Sequence, residues 1–238
     1  MLEQTDLTKI LVLDIETVPQ FAAFDQLPER WKDLWEKKAA TIKKDSLQTT
    51  EELYPRSGIY AEFGKIVCIS VGYFVKGDNY QFRIKSFYGH NEGELLTNFC
   101  QMLTRHFNEP DHLLCAHNGK EFDFPYISRR CVVNKIKMPE SLKTEGKKPW
   151  EVKHLDTMEL WKFGDYKSYT SLDLLAALFN IETPKDDIDG SQVWKVYWQE
   201  NNLERIKNYC QKDVVTVAQI LLSFRGETLL SEADIIAV

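Results

Sequence analysis

Apolar positions along the chain follow two spacings. Lys9–Asp14 (KILVLD) is a short run of Leu, Ile and Val, the pattern of a strand buried on both faces. Lys65–Val75 (KIVCISVGYFV) reads as a second strand and Gly77-Asp78-Asn79 as a turn. Tyr80–Tyr88 (YQFRIKSFY) alternates as the return strand of a hairpin. From Asn91 the spacing becomes helical. Leu95, Leu96, Phe99, Met102, Leu103 and Phe107 share one face, behind acidic residues in the first turn. His112–Ala116 is a fourth, short strand, and a helix is expected from near Glu121 to Val133. Asn134–Lys153 is polar and lysine-rich, with Pro139, Gly146 and Pro149, and reads as loop. Val152–Leu155 is a fifth strand leading to a helix from Asp156. Ser171–Phe179 is a helix capped by Ser171, Pro184–Ser191 a turn-rich acidic loop, and Leu203–Phe224 a long helix. Between the first two strands, roughly Gln20 to Gly64, runs a polar excursion. Trp31, Leu34 and Trp35 give it some helix, but it does not read as a core element.

The order β-β-β-α-β-α-β-α predicts an α/β fold, a mixed sheet with helices packed on it. A chain of 238 residues has room for one well-packed domain or at most two small ones, and is too short for a polymerase plus an editing domain. It shows no internal repeat, low-complexity tract or long linker, so one domain over residues 1–238 is expected, with the stretch at about 20–64 as an insertion. Apolar residues at 43% and charged residues at 28% are ordinary for a soluble protein. No stretch approaches 18 uncharged apolar residues, so no membrane span is expected. The start, MLEQTDLTKI, lacks the basic and apolar regions of a signal peptide, which points to the cytoplasm. The cysteines at 68, 100, 115, 131 and 210 form no CxxC pair and sit mostly in apolar runs, as reduced core thiols do. Thirty basic against 36 acidic side chains give a net charge of −6, which counts slightly against a simple nucleic-acid binder. An enzyme that holds metal ions, however, needs a knot of carboxylates, and these alone pull the sum negative.

Three short patterns carry candidate chemistry. In Asp14-Ile15-Glu16 the two carboxylates point to one side of an extended chain while Ile15 points to the other, into the core. Adjacent anions repel unless a proton or a cation intervenes, and magnesium with oxygen ligands suits such a pair. A solvated strand end is the plain alternative. His117–Pro125 (HNGKEFDFP) follows the fourth strand, at the carboxyl end where open α/β sheets bind ligands. Asp123 there would project back over the strand ends, or simply serve the helix dipole, and Asn118 could simply shape a turn. Tyr209 and Asp213 lie four residues apart within the last helix, so phenol and carboxylate share a face.

Taken in order, DxE, then N-x-x-x-F-D, then Y-x-x-x-D, the chain resembles the DEDD superfamily of 3′–5′ exonucleases in its tyrosine-bearing DEDDy branch. The histidine that the DEDDh branch carries five residues before the last aspartate is replaced here by Asn208. LVLDIETVP, GKIVCISVGY, AHNGKEFDFPYISRR, SLDLLAALFNI and DGSQVW are similar to stretches of stand-alone bacterial exonucleases related to the proofreading domain of family-B DNA polymerases. The resemblance implies an RNase H-like fold, a five-stranded mixed sheet flanked by helices. It implies that Asp14, Glu16, Asp123 and Asp213 hold two divalent metal ions, Mg2+ with Mn2+ as the alternative, with Asp14 bridging both. Tyr209 would orient the attacking water; at an ordinary pKa near 10 it is a poor base. The products would be nucleoside 5′-monophosphates, released from 3′ ends of single-stranded DNA, with RNA as the alternative.

Substrate contacts are expected from Thr17 and the neighbouring backbone at Ile15, from Asn118 (to the penultimate nucleotide, or as a support for Asp123), and from Phe122 stacking or wedging a base. Phe124 reads as core. The lysines at 135, 137, 143, 147, 148 and 153 either track phosphates beside the site or form a solvated loop. Asp156 is expected as a helix cap, Asp173 as a first-turn acid, and Asp186, Asp187 and Asp189 as solvated. His117 is expected to give a supporting hydrogen bond. Rival readings are a 3′–5′ exoribonuclease, a catalytically silent nucleic-acid-binding module, and, less well, a ribonuclease H endonuclease. The sequence names no protein partner.

Overall fold

Aliphatic residues make β1 (Ile10–Pro19) the middle of a mixed sheet. The structure is a computed structural model and describes residues 2–43, 47–77, 79–165, 169–182 and 188–238. β2 (Gly64–Lys76) and β3 (Tyr80–Tyr88) run antiparallel beside β1 as a meander. On the other side, β4 (Leu113–Ala116) and β5 (Leu155–Asp156) lie parallel to it. β6 (Ile235–Ala237) pairs in parallel with β3, so the order is β5-β4-β1-β2-β3-β6. The sheet therefore has six strands where five were expected. The added strand is a three-residue edge piece, too short to alternate, and is defined by its partner Phe82–Ile84 rather than by its own pattern.

The helices are α1 (Glu29–Ile42), α2 (Thr50–Leu53), α3 (Glu92–His106), α4 (Asp123–Val133), α5 (Thr157–Lys162), α6 (Leu172–Leu178), α7 (Val193–Trp198) and α8 (Leu203–Phe224). Alternation along β1 sorts its side chains. Leu11, Leu13 and Ile15 pack with Phe99 and Leu103 of α3 and Phe124 and Ile127 of α4. Ile10 and Val12 pack on the opposite face with Val214, Val217 and Leu221 of α8. Asn91 and Ser171 cap their helices through side-chain oxygens, as their types predict. All five cysteines are free and buried. Among the described residues no helix is long and apolar enough to cross a membrane.

Two expectations change. The stretch after β1 has a core of its own: Trp35, fully buried, packs with Leu27, Ala39, Leu53 and Tyr54, and its Nε1 donates to the Thr50 carbonyl at 3.1 Å. Its aromatics are separated by turns, so no single period reveals them. The lysine-rich loop lies at the other end of the sheet from the acids of β1. Lys153 leads into β5, which is parallel to β4 and β1, and it lines a cavity with Asn108, Glu109 and Leu113. Leu113 pairs with Ile10, four residues and therefore about 13 Å before Asp14.

The insertion is tied down by a buried ion pair. Arg130 donates from Nε and Nη2 to Glu92 at 2.9 and 2.6 Å, and from Nη1 to the Ala61 carbonyl at 2.9 Å. Glu92 Oε1 also accepts from the Ile66 amide at 2.7 Å.

Candidate active site

Asp14 and Glu16 continue the face of β1 that carries Ile10 and Val12, so they point toward α8 while Ile15 is buried in the opposite core. They lie inside the strand rather than at its end, because β1 runs on to Pro19 against β2. The pairing skips Val67 between Glu16 and Thr17, a bulge immediately beside the acids. β4 stops at Ala116, before the level of Asp14, and this leaves the β4-facing edge of β1 open. Asp123, in the first turn of α4, fills that edge: its Oδ1 accepts from the Ile15 amide at 3.2 Å. From α8, Tyr209 and Asp213 line the same cleft as Asp14, Glu16, Ile15, Thr17 and Phe122, a volume of about 420 Å³. Between them in sequence, Cys210 turns inward, and its thiol donates to the Asp14 carbonyl at 3.4 Å.

Burial and mutual repulsion dominate the electrostatics. Burial pushes the Asp14 carboxyl well above the ordinary range, and Asp213 and Asp123 push it further. Glu16 is raised likewise by burial and then by Asp14 and Asp213. Asp123 is raised to about 7, mainly by burial. Asp14 Oδ2 is buried and has no hydrogen-bond partner among the described residues. Ligand atoms of Asp14, Glu16 and Cys210 lie within 4.8 Å of one another. Burial holds the Cys210 thiol protonated, so the available donors are carboxylate oxygens. An orphaned carboxylate oxygen among repelling acids fits a hard divalent cation.

The shifts set an expectation for the metal-free protein. Carboxyls titrate near 4 when unfolded, and in this cluster they hold protons to higher pH, near 7 at Asp123. A raised carboxyl pKa stabilises below the unfolded value and loses that contribution as pH rises through the folded one. Stripped of metal, the protein is expected to melt lower at pH 8 than at pH 5. Mg2+ at about 100 times its Kd is expected to raise the pH 8 melting temperature by roughly 5–10 °C, and to raise it less at pH 5. Calorimetry at both pH values checks this.

Other predicted residues fall as follows. Thr17 and Phe122 line the cleft, whereas Phe124 is core. Ile15 contributes its backbone, which is engaged by Asp123. Asn118 does not line the cleft. It takes the left-handed conformation (φ 62°), its amide donates to Asp156 Oδ1 at 2.9 Å, and it shapes the turn into α4. Asp156 caps α5 as expected, and also accepts from the Lys120 amide at 3.1 Å. His117 accepts from the Thr157 hydroxyl and donates to the Thr170 carbonyl, each at 2.9 Å, and burial keeps it neutral, a supporting role. Asp173 sits in the first turn of α6. Asp186 and Asp187 lie outside the described residues, and Asp189 accepts from Ser191. Sequence reasoning gave no role to Arg56, Ile59 or Trp194, which also line the cleft. The DGSQVW stretch, which contains Trp194, was the one available signal.

The central strand, α4 and α8 of this mixed α/β fold thus bring four acids and a tyrosine toward one cleft. Residues 59–229 match the family described as "Predicted 3′-5′ exonuclease related to the exonuclease domain of PolB". The chain belongs to that family, and is an exonuclease acting on nucleic acid. The matched span holds Asp123, Tyr209 and Asp213, while Asp14 and Glu16 precede it. No curated protein matches. Among solved structures the chain is similar to the family B DNA polymerase from the hyperthermophilic archaeon Pyrobaculum calidifontis, with a TM-score of 0.52 and 16% identity. That match covers 90% of this chain and 24% of the polymerase, and at this identity it shows a shared fold, in keeping with the RNase H-like expectation.

Proposed function

We propose that the protein removes nucleotides one at a time from 3′ ends of single-stranded DNA, releasing nucleoside 5′-monophosphates with the help of two divalent metal ions. The observation that carries this reading is the convergence of Asp14, Glu16 and Asp213 in one cleft with Tyr209, Asp123 beside them, and Asp14 Oδ2 left without a partner among the described residues. Asp14, Glu16, Asp123 and Asp213 would hold the ions. Bound there, Mg2+ or Mn2+ stabilises charge on the phosphoryl oxygens and makes water ionisable near neutral pH.

The chain's own groups do the rest. Burial and the neighbouring Asp213, Glu16 and Asp14 push the Tyr209 phenol up, far from ionisation at neutral pH. It is therefore a hydrogen-bond donor and positions the attacking water rather than deprotonating it. Asp123 is fixed by the Ile15 amide. Phe122 lines the cleft and would stack the terminal base, and such stacking favours an unpaired strand. Tyr209→Phe is expected to slow turnover by roughly 100-fold while Mg2+ affinity stays within about twofold. Single-turnover kinetics and a metal titration check both numbers; a large loss of affinity would give Tyr209 another role.

The test is a digestion panel. Oligonucleotides of DNA and RNA, single- and double-stranded, are labelled at either end and incubated with Mg2+ or Mn2+. The proposal expects single-stranded DNA to shorten stepwise from the 3′ end. Preferred digestion of RNA would make the enzyme an exoribonuclease, and no cleavage with either metal would leave only a silent binding module.

A further inference from the structure

One wall of the cleft plays no part in the chemistry above. It is built by a 3-10 turn of the insertion, Tyr54–Ile59, which places Arg56 and Ile59 on the cleft that holds Asp14, Glu16 and Asp213. Arg56 is the one basic side chain among the described residues lining it. It is exposed, and makes no ion pair or hydrogen bond among the described residues. In particular it is not salt-bridged to the acids, so its guanidinium stands apart from the place where they act.

Its backbone is held firmly. Pro55 precedes it, Tyr54 and Ser57 on either side are buried, and Gly58 lies flat on β1. A Cβ at Gly58 would meet the Val18 carbonyl carbon at 3.0 Å. The Gly58 carbonyl accepts from Tyr126 Oη of α4 at 2.7 Å. A cation on so fixed a support, in a cleft whose other charged lining residues are acids, matches a substrate that is itself an anion along its whole length. The scissile phosphate belongs with the acids, and a neighbouring phosphate belongs with the planar, bidentate guanidinium.

We infer that Arg56 binds a non-scissile backbone phosphate of the strand behind its 3′-terminal nucleotide, so that the insertion forms part of the substrate path. This rests on the exonuclease reading above. The test compares wild type, Arg56→Ala and Arg56→Lys, with Lys153→Ala, at the far end of the sheet, as control. Each binds a fluorescent single-stranded oligonucleotide with a nuclease-resistant 3′ end, in Ca2+, over a salt series. Each also digests the unmodified strand in Mg2+. Arg56→Ala is expected to weaken binding about tenfold at low salt and to flatten the plot of log affinity against log salt by about 0.7. Its loss in digestion should fall on KM more than on kcat. Arg56→Lys should restore the salt slope but only part of the affinity, and the control should match wild type. A thermal melt confirms that the exposed substitution leaves the fold intact. Wild-type affinity and slope in Arg56→Ala would overturn the inference alone. A wild type that neither binds nor cuts would overturn the exonuclease reading as well.

Discussion

Asp14→Ala is expected to lower cleavage by several orders of magnitude while leaving the protein folded. Asp14 is the acid with an orphaned buried oxygen, and its carboxyl feels both Asp213 and Asp123. Removing it would take away a proposed metal ligand that no nearby group replaces, since the adjacent Cys210 sulfur is buried, protonated and hydrogen-bonded to the Asp14 carbonyl. The same substitution relieves repulsion among buried carboxylates. The metal-free variant should therefore melt no lower than metal-free wild type at pH 8, although a small cavity offsets part of the gain. Asp213→Ala should behave in the same way. Digestion rates and melting curves measured together separate a lost site from a lost fold, and a wild-type rate in either variant would contradict the site.

The second large effect is on stability. Arg130→Ala leaves the Glu92 carboxylate buried without its cation and the Ala61 carbonyl without its donor. Breaking one side of a buried ion pair costs about 3–5 kcal/mol, which for a chain of this size lowers the melting temperature by on the order of 10 °C. Urea denaturation should show the loss as a lower midpoint. Ala61 belongs to the insertion and Glu92 starts α3, so this pair also fixes the wall that carries Arg56. Substrate affinity should fall in Arg130→Ala even below its melting point. An unchanged midpoint would mean that water or a neighbour satisfies Glu92.

Much of this was legible in the sequence, for identifiable reasons. α8 matches its expected span, Leu203–Phe224, because twenty-two residues of one-sided apolar spacing leave little choice. The Tyr209/Asp213 pair follows directly from that helix. The hairpin of β2 and β3 matched because a turn signal separates a continuous apolar run from an alternating one. What stayed hidden depends on partners distant in the chain. β6 exists only against Phe82–Ile84, and α7 is six residues, too short for its period to show. Glu92 reads as a first-turn acid, and only the approach of α4 turns it into half of an ion pair. Whether the lysine loop borders the acids depends on the direction of the strand it leads into, which the sequence leaves open. The parallel direction of β5 sends it to the far end. Arg56 and Trp194 come from segments nearly 140 residues apart, and meet the acids only through tertiary packing.

Titration of the purified, metal-free protein with Mn2+, followed by calorimetry in parallel with Asp14→Ala, bears most directly on the four-carboxylate site. Wild type should bind the ion in the cleft, more tightly at pH 8 than at pH 5, and the variant should lose that binding while keeping its fold. Equal binding by wild type and a folded Asp14→Ala protein would place the metal elsewhere, and would remove the basis for assigning hydrolysis to this cleft.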